Sequence, residues 1–202
     1  MRFDKVAGAY QGKVNLRKRP FPLEIYGGGP PNRHELEQEW WLAALQEPAA
    51  QFSPYRSADW PTTTLPAFEA VWCAWQQDEA TARQLDLRIR RVFFAESLNI
   101  GRRDIYPDLA REVGLEIPAF LALFESSQPR EAILAEGRLG KERYGVDSTP
   151  TVMLSSGKKL QLPLAMPHSE DNQIVAIDPL PCSGEGCYEA TRALFEQALR
   201  SH

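Results

Sequence analysis

Three cysteines are the residues of this sequence with the most distinctive chemistry, and two of them lie close together near the C-terminus. Cys182 and Cys187 are separated by four residues, among them Gly184 and Gly186. Because glycine adopts tight-turn conformations readily, this loop allows the Cα atoms to approach within the roughly 4.4–6.8 Å that a disulfide requires. Closing so small a loop stabilises the folded chain by only about 2 kcal/mol in the chain-entropy model. A chain of 202 residues does not need that brace to fold, so the pair predicts a redox or regulatory role.

Cys187 also directly precedes a helical pattern, residues 188–200, that closes the chain. The positive end of a helix favours a thiolate by about 0.3–1 kcal/mol. Glu185 and Glu189 lie on either side and oppose this effect. We therefore expect only modest activation of the Cys187 thiol.

Zinc binding is the rival chemistry for these residues. A tetrahedral site needs four ligands, and Cys182 and Cys187 supply two of them. Cys73 and His168 are the obvious additions, but neither has a second ligand at a paired spacing. Cys73 lies among tryptophans in an apolar helical pattern, which is typical of a small buried hydrophobic residue, and His168 lies in a stretch predicted to be an exposed loop. We expect neither a metal nor a cofactor.

The composition limits the partners and the location. The 23 basic and 27 acidic residues give a net charge of −4, which argues against nucleic acid or an anionic membrane as the main partner. No apolar run approaches the roughly 18–20 residues of a membrane span. The first residues do not resemble a signal peptide, because Gly8, Gln11 and Lys13 interrupt any apolar run. These observations predict a cytoplasmic protein without a nucleic-acid or membrane partner.

Several helical patterns follow one another upstream of a short β-branched run at residues 151–154. Gly145 is placed to end the last of these helices, and Pro150 to open the strand. An alternating stretch at residues 13–17 predicts an earlier strand, and residues 160–164 predict one antiparallel to 151–154. We interpret residues 165–181 as a polar loop.

The sequence Gly-Val-x-x-Thr-Pro-Thr-Val that begins at Gly145, preceded by a long helical stretch, resembles the DsbA-like branch of the thioredoxin fold, in particular the FrnE-type proteins. Residues 94–100 resemble the F-x-E-G-x-N-I stretch of that family, with Ser97 in place of the glycine. The resemblance covers roughly residues 3–153. It implies an α/β, thioredoxin-like core at residues 1–59 and 145–202, lacking its N-terminal strand, with a helical insertion subdomain at 60–144.

The resemblance also implies a function. In this family the Thr-Pro bond is cis and faces a redox-active Cys-x-x-Cys, so Thr149 and Pro150 are the expected substrate-binding residues. Cys182 and Cys187 match the spacing of a second Cys-x4-Cys pair found near the C-terminus of some FrnE-type proteins, and they are the expected catalytic residues. The implied activity is thiol–disulfide exchange on protein or peptide thiols.

The sequence contains no Cys-x-x-Cys, and it begins at what resembles the last turns of the helix that carries this motif. Either the start of the full protein lies upstream, or the chain is truncated and lacks its main site. We favour the first explanation, because a thioredoxin sheet without its first strand exposes an unpaired edge. A homodimer would be one way to cover that edge.

Two other classes of function stay open. Kappa-type glutathione-dependent isomerases and transferases belong to the same family and use a serine near the first helix, a position absent from this sequence, so glutathione remains an alternative partner. A holdase, by contrast, would keep only the peptide groove beside the proline and bind by strand addition without any thiol.

Overall fold

Helices form most of the regular structure in the parts of the chain that the computed structural model describes, which are residues 2–27, 29, 32–47, 49–182 and 184–200. The helices are α1 (Arg2–Ala7), α2 (Leu23–Tyr26), α3 (Arg33–Gln46), α4 (Leu65–Trp75), α5 (Glu79–Phe94), α6 (Tyr106–Glu112), α7 (Ile117–Phe124), α8 (Gln128–Tyr144) and α9 (Glu185–Leu199). The strands are β1 (Val152–Met153), β2 (Lys159–Leu160), β3 (Pro167–Glu170) and β4 (Gln173–Ile177). They form two antiparallel pairs, β1 with β2 and β3 with β4. None of the helices in the described ranges is both long and apolar enough to cross a membrane.

The chain divides into two compact units. Unit 1 comprises Met1–Lys18, Asn32–Phe52 and Pro150–His202, and unit 2 comprises Arg19–Pro31 and Ser53–Thr149. The four strands lie in unit 1 with α1, α3 and α9, whereas unit 2 contains α2 and α4 to α8. The predicted insertion at residues 60–144 stays a prediction, because a compact unit is defined by its contacts and an insertion by the parent fold that it interrupts.

Helix α4 is the centre of unit 2, where it contacts α5, α7 and α8. Pro66 lies in its first turn, where a proline costs no helical hydrogen bond. The carboxylate of Glu24 in α2 caps this end of α4: it accepts the backbone N–H of Thr64 at 2.6 Å and the hydroxyl of Thr63 at 2.5 Å. An acceptor from a distant segment therefore satisfies a donor that the helix itself leaves unpaired.

A buried carboxylate also lies on α4. Glu69 is 2% exposed, and it forms ion pairs with Arg103 and with Arg130, whose Nε lies 2.6 Å from Glu69 Oε1. Arg103 also donates to the carbonyl oxygen of Phe124, and its guanidinium lies 3.9 Å from the centre of the Phe124 ring. Because a buried charge is tolerated only when it is paired, these two arginines are a condition for the packing of α4.

The packing of α1 against α9 forms the core of unit 1 around the candidate site. Val6 and Tyr10 on one side and Phe195 on the other are buried together. The rings of Tyr10 and Phe195 stack at a centroid distance of 5.0 Å, and the Tyr10 hydroxyl donates to Glu196 Oε1 at 2.6 Å. These contacts fix the position of α9.

Helix α3 lies against the β3–β4 hairpin through two glutamine side chains. Gln46 accepts the backbone N–H of Ala165 at 2.8 Å and donates to the carbonyl of the same residue at 3.2 Å. Gln38 accepts the N–H of Ile174 at 3.0 Å. The amides thus satisfy backbone groups beside the hairpin that would otherwise need another strand or water. Asn32 caps the start of this helix, because its Oδ1 accepts the N–H of His34 at 2.9 Å.

The end of α8 and the strand that follows it agree with the sequence analysis. Gly145 has a φ of 57°, and its N–H donates to the carbonyl of Gly140, which ends the helix in the left-handed conformation. Strand β1 lies within the predicted strand at residues 151–154. It pairs with β2 in a register that places Val152 opposite Leu160. Both strands are shorter than predicted.

Two predictions about strands are wrong. Residues 13–17 form no strand: Val14 instead donates its N–H to the carbonyl of Tyr10 at 3.0 Å, and Val14 and Leu16 pack against the α1–α9 core. An alternating pattern therefore reflected packing on helices and not pairing in a sheet. Residues 165–181 are not a loop throughout, because they contain the β3–β4 hairpin. Its turn residues Asp171 and Asn172 have φ values of 49° and 61°, as the favoured two-residue hairpin turn requires.

Replacement of Arg103 by methionine tests the buried carboxylate. The change leaves Glu69 with a single ionic partner, so we expect the free energy of unfolding to fall by about 3 kcal/mol in urea denaturation. The matched control is Arg102→Met, which removes the neighbouring arginine, whose partners are the exposed Asp59 and Asp104. A much smaller loss is expected there. Equal losses in the two variants would contradict the role assigned to Glu69.

Candidate active site

Cys182 and Cys187 form a disulfide, with their Cα atoms 5.0 Å apart. The pairing agrees with the loop geometry expected from the sequence. Gly184 makes the loop possible: it has a φ of 50° and precedes the first residue of α9, and its carbonyl accepts the N–H of Cys187 at 3.1 Å. A residue with a Cβ is strained at such a φ, so this glycine is required by the turn.

The two sulfur-bearing side chains are unequally accessible. Cys187 is 2% exposed, whereas Cys182 is partly exposed and its Sγ lies 4.0 Å from the carbonyl oxygen of Pro163. Cys187 is held in the first turn of α9, where Thr191 Oγ1 donates to its carbonyl at 2.8 Å. Cys182 is therefore the more accessible of the two cysteines, and Cys187 is the one held at the helix N-terminus.

A cleft of about 220 Å³ lies beside Cys187 within unit 1. Arg2, Glu47, Glu185 and Tyr188 are among the residues that line it. A second cleft of about 270 Å³ shares Glu185 and Tyr188 with the first, and Lys5 lines it. The Nζ of Lys5 donates to the Tyr188 hydroxyl at 2.9 Å, and this hydrogen bond raises the pKa of Lys5. The two clefts meet at the start of α9.

Cys73 is not part of this site. It is fully buried in α4, and burial, reinforced by the charge of Glu69, raises its pKa to about 12. Its thiol is therefore protonated at neutral pH and is not a nucleophile. The prediction that Cys73 is a small buried hydrophobic residue is confirmed.

The other residues singled out in the sequence lie elsewhere. Thr149 and Pro150 are exposed on the segment between Gly145 and β1, and their role in substrate binding stays a prediction. His168 is exposed, but it lies in β3 and not in a loop, with its Nε2 2.8 Å from Asp178 Oδ1. In the described ranges of the chain, no group of three or more His, Cys, Asp or Glu side chains is arranged to hold a metal ion.

Sequence reasoning missed the charged pair in the cleft wall. Arg2 and Glu47 form an ion pair, with Nε and Oε2 3.5 Å apart, although they are 45 positions apart in the sequence. No local pattern marks either residue, because α1 and the end of α3 meet only in the tertiary structure.

Several solved structures share this fold. A crystal structure from Nitrosomonas europaea, provisionally described as a protein disulfide isomerase, has a TM-score of 0.71 at 16% sequence identity, and the alignment covers 100% of this chain and 89% of that chain. The cytosolic disulfide reductase DsbM from Pseudomonas aeruginosa has a TM-score of 0.66 at 21% identity, with 100% and 91% covered. No protein-family model and no curated protein matches this chain by sequence.

The chain therefore has a mixed helix and strand fold of the DsbA-like thioredoxin type. This confirms the fold class that the residues around Gly145 and Pro150 implied. Identities of 16% and 21% show the fold alone.

Alkylation of the native protein tests the environments of the three cysteines. We expect no thiol to react before reduction, because Cys182 and Cys187 are paired and Cys73 is buried and protonated. After mild reduction, Cys182 reacts first and Cys187 more slowly, while Cys73 reacts only on unfolding. Mass spectrometry of the peptides reports each site. Rapid labelling of Cys73 in the folded protein would contradict this description.

Proposed function

We propose that this chain is a thiol–disulfide oxidoreductase that acts on protein or peptide thiols through Cys182 and Cys187. One observation carries the proposal: the chain forms a disulfide at a helix N-terminus between one partly exposed and one buried cysteine, on a DsbA-like fold. That inequality defines which sulfur meets a substrate and which one leaves.

The exchange proceeds in two displacements. A substrate thiolate attacks Sγ of Cys182, a new S–S bond forms, and the bond between Cys182 and Cys187 breaks with its electron pair on Cys187. A second substrate thiolate then attacks the substrate sulfur of the mixed disulfide and releases Cys182. Two electrons pass from the substrate dithiol to the protein, and each released thiolate takes up a proton according to its pKa. Reduction of a substrate disulfide is the reverse sequence, with Cys182 as the attacking thiolate.

The finer assignment rests on two further points. The Cys-x4-Cys spacing near the end of the sequence favours the FrnE-type branch, in which such a second pair occurs. A cytoplasmic location is proposed because DsbM, one of the structural neighbours, is described as cytosolic. Protein thiols are the proposed partners because both neighbours are described as disulfide isomerase or reductase.

Peptide binding without catalysis is the second candidate function. It is favoured by the exposure of Thr149 and Pro150 directly before β1, where a peptide backbone has access to the chain. Main-chain pairing beside a strand supplies affinity without a thiol. A gain in the refolding yield of a client protein that survives loss of both cysteines would support this function.

An insulin-disulfide reduction assay tests the proposed activity. We expect Cys182→Ser and Cys187→Ser to reduce the rate to that of the protein-free reaction, because either change removes the exchanging pair. Cys73→Ala is the matched control, since it removes the remaining thiol and should leave the rate unchanged. Equal rates for the wild type and Cys182→Ser would exclude this pair as the active dithiol.

Pro150→Ala separates substrate binding from the chemistry of the cysteines. If Pro150 orients a substrate strand, the variant loses several-fold in kcat/KM for a peptide disulfide, mainly through KM. The rate at which dithiothreitol reduces the Cys182–Cys187 bond should stay unchanged, because that reagent has no backbone to align. An unchanged kcat/KM for the peptide would remove Thr149 and Pro150 from the proposed site.

A further inference from the structure

Arg2 and Glu47 lie in the wall of the cleft that Cys187 also lines, and the exchange described above gives them no role. Arg2 opens α1, and Glu47 directly follows α3. Their side chains are mostly buried, with 11% and 17% exposed, and Arg2 Nη2 also donates to the carbonyl of Gln46. A charged pair held at this depth is fixed in place, unlike a mobile surface pair.

The pair is incompletely hydrogen-bonded. Arg2 Nε and Glu47 Oε2 are both buried, and neither has a hydrogen-bond partner among the described residues. Their separation of 3.5 Å allows an electrostatic contact but exceeds the 2.7–3.2 Å that is typical of a hydrogen bond. Arg2 Nε therefore keeps an N–H that no acceptor satisfies within hydrogen-bond distance, and the positive charge of Arg2 is only partly balanced by Glu47.

The charges around the cleft show why this donor matters. Among the described residues that line it, Glu47 and Glu185 are anionic and Arg2 is the one cation. On the neighbouring surface of α9, Glu189 is paired with Arg192, and Lys5 donates to the neutral Tyr188 hydroxyl. Without Arg2, a thiolate at Cys187 would face two carboxylates with no opposing charge in the same wall.

We propose that Arg2 is a positioning residue that stabilises the Cys187 thiolate when the disulfide is reduced, and that Glu47 holds Arg2 in place and limits this effect. The inference rests on the proposed function of the pair. When a substrate thiolate attacks Cys182, the electron pair of the broken S–S bond goes to Cys187, and the arginine lowers the free energy of that leaving group. A nearby cation lowers the pKa of a thiol, and a stabilised thiolate makes the disulfide more oxidising.

The reduction potential of the Cys182–Cys187 pair in two variants tests this. Arg2→Gln removes the stabilising charge, so the disulfide becomes harder to reduce. Glu47→Gln removes an opposing carboxylate, so the disulfide becomes easier to reduce. We expect each change to shift the exchange equilibrium with dithiothreitol by up to about tenfold, or about 30 mV, in opposite directions. The equilibrium is measured by alkylation and mass spectrometry at neutral and mildly alkaline pH.

Two further variants make the readout specific. Lys18→Gln removes a cation of unit 1 that pairs with Asp4 outside the cleft, and it should leave the potential unchanged. Arg2→Lys keeps the positive charge, so its reduction potential should stay close to that of the wild type. In the background of Cys182→Ser, ultraviolet titration of the Cys187 thiolate should give a higher pKa with Arg2→Gln and a lower pKa with Glu47→Gln.

Shifts in the same direction, or no shift in either variant, would overturn the role of Arg2 and Glu47. That result is distinguishable from failure of the proposed function, because the potential is measured on the protein alone. Opposite shifts in a protein that does not reduce insulin would support the inference about the cleft and reject the activity. If Arg2→Gln does not fold, Glu47→Gln and the thiolate titration carry the test.

Discussion

The packing of α1 against α9 is the interaction on which the candidate site depends. Phe195 is buried against Val6 and Tyr10, and each such side chain contributes about 1.5–3 kcal/mol by leaving water. This core fixes the N-terminus of α9, and with it Cys187. It also orients α1 so that Arg2 reaches the same cleft. The position of Cys187 and its charged surroundings thus depend on one apolar contact.

Because the core holds α9, the disulfide does not have to. Closing a loop of this size is worth about 2 kcal/mol in the chain-entropy model, and burial of the three core side chains exceeds that. Reduction of the bond would therefore release the segment that carries Cys182 while Cys187 stays on a helix that remains packed. A disulfide that opens and closes without unfolding its surroundings is what reversible exchange requires.

The sequence predicted those features whose cause is local. Gly145 ends α8 in the left-handed conformation, and the glycine-containing loop closes the disulfide. Ser97, which replaces a glycine of the family pattern, has a φ of 60°, so the pattern marks a backbone requirement that the serine meets at some cost. Where the cause is a tertiary contact, the prediction from sequence was wrong or absent. The alternation at residues 13–17 comes from packing on helices, and the Arg2–Glu47 pair joins segments that no periodicity connects.

Cys73 and Cys187 show why burial alone does not decide whether a thiol is reactive. Both side chains are almost completely removed from solvent, at 0% and 2% exposure. Cys73 lies beside the carboxylate of Glu69, and desolvation and negative charge act in the same direction to raise its pKa. Cys187 lies in the first turn of a helix, beside a cleft that is lined by Arg2 as well as by Glu47 and Glu185. The two buried cysteines therefore differ in their charged surroundings: α1 and the end of α3 bring Arg2 and Glu47 to the start of α9, whereas the carboxylate of Glu69 lies beside Cys73.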